Sequence, residues 1–337
     1  MTLISAHSDV HKAGVAVPQL ERTQGSTFRF SGHQTFPLRI AWIPKAVRAL
    51  VDGDDLFGDI DKGISKLGLG KNMIEALRCW IEAFQVARRQ NGKLQLTPIG
   101  KMVFHPESGL DPCLEDVSTA WLLHWLISTD VTSPFFAWEC LINRWASSEF
   151  SASDVISAFQ SETRNARKPA SAVTLKQHWE VFLHSYRQTP SGKGEEQLDS
   201  AMSVLRLVRG AGERLTGDGN WEPLYCFDSG QKTSISQELF TFFVHDWWNR
   251  ELSSEQTVPL RELAVGAHSP GRVLKMHESE VLDRMSLIVR RQSKMFQMIE
   301  SVSLRQVRRL LPADGVTELR AAYKSPSFLY SNHASTI

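Results

Sequence analysis

Apolar positions along the chain first recur in register near Phe28. The first 25 residues are small and polar without sustained periodicity, and read as a mobile N-terminal tail. Between residues 26 and 105 the pattern is compact. WIPKAVRALV carries a helical stripe, with Pro44 tolerated in its first turn. DIDKGISKLGLG predicts a short helix closed by Gly68 and Gly70. In KNMIEALRCWIEAF, Met73, Leu77, Trp80 and Phe84 fall at i, i+4, i+7 and i+11, one apolar face of an amphipathic helix. Lys71, Asn72, Glu75, Arg78 and Glu82 take the opposite face. VARRQNGKLQLTP then sets Asn91-Gly92 between two short extended runs, the strongest local hairpin signal. Helix, short helix, turn, longer helix and hairpin is the order of a winged helix-turn-helix, so residues 26–105 are expected to form one.

From 106 to 325 the pattern predicts a helical domain. CLEDVSTAWLLHWLIS is strongly apolar, with Trp121 and Trp125 one turn apart, and PFFAWECLINRWA adds Trp138 and Trp145 in another helix. SASDVISAF starts a helix with Ser153 or Asp154 as its N-cap, and a further helix lies within RNARKPASAVTLKQHWEVFLHSYRQ. TPSGKGEEQ and RGAGERLTGDGNWEP read as exposed, Gly-rich connections. SQELFTFFVHDWWNRELSSEQ is amphipathic and helical, and TVPLRELAVGAHSPGRVLKMHESEVLDRMSLIV places helix, turn and helix in the order of a second, degenerate helix-turn-helix. RQSKMFQMIESVSLRQVRRLL supplies a basic C-terminal helix, and residues 326–337 read as frayed. The fold class is therefore mainly α with a short β-hairpin.

Composition narrows the function classes. No run of about 18 apolar residues exists, and the opening residues lack a secretory pattern, so a cytoplasmic protein without a membrane span is expected. The four cysteines lie far apart with no CxxC pair, which argues for buried free thiols over disulfides or a zinc site. The formal charge is only +1, but Asp61–Lys101 carries eight Lys/Arg against three Asp/Glu, and Val281–Arg320 eight against four. Local positive charge is the footprint of a nucleic-acid partner, although most charge runs are solvated helix faces. On a winged helix, Lys45, Lys66, Lys71, Asn72, Arg78, Arg88, Arg89 and Lys93 would supply the surface for double-stranded DNA.

Several motifs fail. GLGKN lacks the glycine and hydroxyl of a phosphate loop, having Ser65 and Asn72 in those places, and SGKGEE fails similarly, so no nucleotide cofactor is expected. No GxSxG elbow is present, and we find no spaced carboxylates of a restriction-type nuclease. Asp111, Glu115 and Asp116 stand at the start of a helix, where carboxylates complement the helix N-terminus more often than they bind metal. Glu115 and Asp116 are the residues that could serve as ligands for Mg²⁺ or another divalent ion. FRFSGHQTFPLR, by contrast, sets Arg29, His33 and Arg39 among aromatic side chains. Two accounts stay open: a phosphate-binding or catalytic cluster with His33 as acid or base, or a structural latch whose polar heads pair with acids such as Asp116.

FSGHQTFPLRIAWIPKA, LGLGKNMIEALRCWIEAF, LTPIGKMVF, DPCLEDVSTAWLLHWLIS and SPGRVLKM together resemble the SspB-type proteins of bacterial single-strand DNA phosphorothioation systems, a family formerly of unknown function. The resemblance spans Phe28 to about Met276, with Gln34 standing where a glutamate is usual. It implies a DNA-binding part in antiphage defence, acting with sulfur-transfer and ATPase components. It also implies endonuclease activity that nicks one strand, helped by a divalent metal, with Arg29, His33 and Arg39 at the target phosphate. The alternative is a non-catalytic winged-helix reader that recruits the modification enzymes or regulates transcription. The sequence is compatible with a homo-oligomer.

Overall fold

WIPKAVRALV forms helix α1 (Trp42–Val51), which buries Trp42, Ile43, Ala46, Val47 and Ala49 as its periodicity requires. The structure, a computed structural model, describes residues 28–54, 58–164, 170–187, 200–300 and 305–324. The expected tail, the TPSGKGEEQ connection and the frayed C-terminus lie outside the described residues. Helix α2 (Ile60–Leu67) begins on Asp59, whose side chain accepts from the Lys62 amide, and ends on Gly68 at φ 65°. Helix α3 (Lys71–Ala83) follows at once and buries Ile74, Leu77, Trp80 and Ile81. Strands β1 (Ala87–Gln90) and β2 (Lys93–Leu96) pair antiparallel across Asn91-Gly92, both residues with positive φ as a tight hairpin turn demands. Helix α4 (Pro98–Phe104) is capped by Thr97.

Helix α5 (Val117–Ser128) is buried on every side, so it forms the centre of the core rather than one of its walls. A single turn α6 (Phe136–Trp138) runs into a π-helix at Glu139–Arg144. Strand β3 (Glu149–Ser151) leads to α7 (Ala152–Thr163), whose cap is Ser151 with Asp154 closing a capping box, two residues earlier than the sequence reading placed it. Helix α8 (Ala172–Tyr186) packs on α7.

The region expected to be helical also holds two three-stranded antiparallel sheets. RGAGERLTGDGNWEP is a hairpin, β4 (Val208–Leu215) and β5 (Trp221–Phe227), rather than a loose connection. Most of β4 is exposed and the register shifts between Gly210 and Gly212, so no alternation of apolar positions announces it. After α9 (Gln237–Glu251) come β6 (Thr257–Pro259), α10 (Leu260–Val265), α11 (Pro270–Val273) and α12 (Glu278–Arg291). One turn more than a bare helix-turn-helix is thus present. The basic C-terminal segment is no helix: it forms β7 (Phe296–Glu300) and β8 (Arg305–Arg309), with β8 between β6 and β7. A short α13 (Val316–Ala322) packs on α9. The chain is mainly helical with small sheets, and no described helix is long and apolar enough to cross a membrane.

His268 ties distant elements together. Its Nε2 lies 3.0 Å from Glu139 of the π-helix and its Nδ1 3.4 Å from Glu251 of α9. Burial pulls its pKa down, but hydrogen bonds and charge from both carboxylates outweigh that and push it up to about 9. The folded value lies above the ordinary 6.5, so the imidazolium's stabilisation is complete below pH 6.5 and is lost as the pH rises through 9. Urea unfolding between these limits should show stability falling by on the order of 3 kcal/mol, and His268→Gln should flatten that slope. An unchanged slope in the variant would refute this role.

Candidate nucleic-acid interface and the opening motif

Residues 28–41 lie as a strap across two parts of the chain. The Arg29 amide donates to Pro134 O at 2.9 Å, and the Phe136 amide returns a bond to Arg29 O at 3.0 Å. Gly32 has φ 108°, and a Cβ there would meet Cys79 Sγ at 2.8 Å, so only glycine lets the strap lie this close to α3. Trp80 of α3 donates its indole N–H to Phe36 O at 3.0 Å. Gln34 donates to Glu75 at 2.8 Å; a carboxylate at position 34 would repel Glu75.

His33 is 3% exposed and meets His178 of α8 edge to edge, with ring centroids 5.3 Å apart and ring planes within 8° of each other. Trp80 and Phe135 flank it. The protons in this pair can be counted. The Ala137 amide donates to His178 Nε2 at 2.9 Å, so that nitrogen is an acceptor and the proton of a neutral His178 sits on Nδ1. Nδ1–H therefore donates across 3.1 Å to His33 Nε2, and the His33 proton sits on Nδ1. The 3.3 Å approach of the Thr35 amide to His33 Nδ1 is then a contact, because that nitrogen has no free lone pair. Protonating either ring would set two N–H groups against each other. Burial, and for His33 the nearby Arg29 charge, lowers its pKa to about 4, while burial and then His33 lower that of His178 well below its usual value. Burial and the proton count both work against the account in which His33 serves as an acid or base near neutral pH.

Arg29 and Arg39 also turn inward. The Arg29 guanidinium lies 4.5 Å from the Phe135 centroid and donates to Cys79 Sγ at 3.1 Å. Burial pushes the Cys79 thiol up to about 11, so it remains protonated. Arg39 lies over Phe36 and Trp42, at 6.0 and 5.8 Å from their centroids. The polar heads of FRFSGHQTFPLR are thus held by aromatic faces, a thiol and a second histidine, and not by Asp116. Neither His178 nor Phe135 was singled out in the sequence; the one signal was a histidine in the apolar series Leu175, His178, Trp179, Phe182.

The acidic cluster serves the chain. Asp111 accepts from the amides of Glu115 and Asp116, at 2.9 and 3.0 Å, and from Thr119 Oγ1 at 2.6 Å. Asp116 caps α5 by accepting from the Ser118 amide at 2.8 Å, and Glu115 is exposed. Among the described residues no group of three or more His, Cys, Asp or Glu is arranged to hold a metal ion. Asp111 and Asp116 thus serve the start of α5.

The expected cationic surface divides in two. Lys66 forms ion pairs with Asp54 and, at 3.9 Å, with Asp52, and Lys45 donates to Leu67 O at 3.2 Å. Lys71 and Asn72 are exposed in the first turn of α3, which starts on Gly70 with no side-chain cap and no acid. Arg78 is half-buried on the same helix. On the hairpin, Arg88 donates to Gln85 and Arg89 to Gly92 O, while Lys93 stands exposed at the turn. Among the described residues, none of Lys71, Arg78, Arg88, Arg89 and Lys93 forms an ion pair, in contrast to Lys62 and Lys66. The second basic run is neutralised in part: Arg284 pairs with Glu280, Arg291 with Glu238 and Arg305 with Glu300, while Arg309 donates to the neutral Asn249.

The depressed histidine pair has a measurable consequence. Folded-state values below 6.5 mean that its stabilisation is complete above pH 6.5 and is lost as the pH falls toward 4. Acid titration of unfolding should show a loss on the order of 3 kcal/mol over that window. A His33→Phe variant, which cannot charge, should lose much of this acid sensitivity; equal sensitivity would place the charging elsewhere.

Comparisons with known proteins agree with this architecture. A crystal structure of magnesium ion-bound SspB superposes with a TM-score of 0.75 at 20% sequence identity, covering 91% of this chain and 92% of that one. A second SspB crystal structure gives 0.74 at 20% identity, covering 89% of each chain. No curated protein matches the chain significantly. A family model matches residues 30–318, and on that extent the chain belongs to the family described as Protein of unknown function (DUF4007).

Proposed function

We propose that this chain is the DNA-binding component of a phosphorothioate modification and antiphage defence system. In this reading residues 26–105 act as a winged helix, with α3 at the groove and the β1–β2 hairpin on flanking phosphates. Lys71, Asn72 and Arg78 meet the DNA from α3, and Arg88, Arg89 and Lys93 from the hairpin. Lys66 and Lys45 stabilise the fold beneath them. The observation that carries the reading is the set of cations, Lys71, Arg78, Arg88, Arg89 and Lys93, left without carboxylate partners among the described residues on one helix and the hairpin that follows it. The shared fold with SspB supports its place beside sulfur-transfer and ATPase components.

Strand nicking is the second reading, and the magnesium ion of the similar SspB structure is what favours it. The inward-facing opening motif does not: Arg29 and His33 are partnered within the protein, Arg39 lies over Phe36 and Trp42, and the three act as a latch that fixes α3. Binding without chemistry is therefore assigned to this chain.

Fluorescence anisotropy with a duplex of about 20 base pairs tests the proposal. Binding should weaken steeply with salt as counterions are released. Lys71→Ala, Arg88→Ala or Arg89→Ala should each cost about threefold to tenfold and reduce the salt slope by about 1, whereas Lys66→Ala should leave both unchanged. Equal effects at Lys66 and Arg89, or no salt dependence, would refute the assignment. A supercoiled plasmid with Mg²⁺ should stay supercoiled; its relaxation by wild type would establish nicking.

A further inference from the structure

A pocket of about 470 Å³ opens where the π-helix, the β4–β5 hairpin and the α10–α11 turn meet. One wall is apolar, built from Ile142, Trp145 and Phe227. Three cations line the rest, Arg209, Arg272 and Lys275, against a single carboxylate, Glu149.

Two of these cations have a structural duty. The Lys275 ammonium donates to Ile142 O at 2.7 Å and lies 4.3 Å from the Phe227 centroid. Arg272 donates to the carbonyls of Asn143, Val265 and Gly266. Together they cap the C-terminal end of the π-helix, where carbonyls lack partners. Capping leaves three things unexplained. Neither cation has a carboxylate partner among the described residues. Arg209 caps nothing: its side chain is 60% exposed, and the 3.9 Å contact with Asp228 competes with Lys232, which holds that carboxylate at 2.7 Å. Trp145 is only 6% exposed, yet its indole N–H has no acceptor among the described residues. Every unspent polar group but Glu149 is thus seeking negative charge or an acceptor.

We infer that this pocket binds a small phosphate ester of nucleotide size, with its phosphate on Lys275 and Arg209 and its base against the Trp145 and Phe227 wall. The volume suits such a ligand, since pockets that bury small molecules begin near 300 Å³. Burial and the neighbouring Arg272 charge bring the Lys275 ammonium down to about 7, a cost that an adjacent anion relieves. Lys275 also holds φ 54°, a conformation that favours glycine, so a lysine is kept there against backbone preference. The inference is independent of the DNA-binding reading, because none of these residues lies on α3 or its hairpin.

Isothermal titration of the full chain with dAMP, deoxyadenosine and inorganic phosphate tests it. The expected result is saturable binding of dAMP at or below about 1 mM, with no heat from deoxyadenosine. Lys275→Gly should weaken dAMP binding at least about tenfold, with the lower Tm expected from the lost cap offset in part because glycine accepts the positive φ. Arg209→Ala, an exposed change that leaves the caps intact, should weaken it about threefold to tenfold. Competition by a 5′-phosphorylated oligonucleotide would identify a strand end as the ligand, and its failure to compete would identify a free nucleotide. No binding of dAMP or phosphate at about 1 mM, or binding unchanged in both variants, would overturn the proposal.

Discussion

The hydrogen-bonded pair of neutral imidazoles, His33 and His178, is the constraint on which the N-terminal half depends. A backbone amide fixes one nitrogen of His178 as an acceptor, and from that single bond the protonation state of both rings follows. The pair brings residues 28–41 onto α8, and Gly32 then lets the strap pass within contact of Cys79 on α3. Trp80 and Phe135, in contact with each other, pack against His33. The helix proposed to meet DNA is consequently fixed from behind, by rings whose packing tolerates neither a charge nor a lost methylene. Preorganisation of this kind lets exposed arginines and lysines be presented without further ordering of the helix that bears them.

Basic residues gather in two runs of the chain, and in each only some of them meet carboxylates. In the C-terminal run, Arg284 reaches Glu280 one helical turn away and Arg291 reaches Glu238 on a neighbouring element. In the N-terminal run the carboxylates are fewer, and Asp54 and Asp52 are taken by Lys62 and Lys66. What remains on α3 and the hairpin is uncompensated. A net charge near zero for the whole molecule is therefore compatible with a local field strong enough to steer a polyanion.

Legibility in the sequence followed the reach of the interactions involved. Helices α1 and α3 and the Asn91-Gly92 turn were readable because each rests on local periodicity or on one residue's φ preference. The acids at 111–116 were readable as helix-capping groups for the same reason. Strands β4 and β5 were not, since they pair through backbone while most of their side chains face water, and a glycine-rich segment with no alternation looks like a loop. Strand β8 was masked by its three arginines, which suit a solvated helix equally well. At the site, the residue types in FRFSGHQTFPLR were evident, but their partners were not. His178 lies 145 positions away and Cys79 lies 50 from Arg29, distances over which composition carries no information. Pairing of Lys66 with Asp54 likewise exists only once α2 folds back on the preceding loop.

Hydrogen exchange, followed by mass spectrometry on the full chain with and without duplex DNA, tests the central claim most directly. The account predicts new protection in peptides covering Lys71–Arg78 and Arg88–Lys93, with the strap at 28–41 already protected in the free protein and unchanged. Protection confined to α12 and the β7–β8 hairpin, or a strap that becomes ordered only when DNA is added, would contradict it.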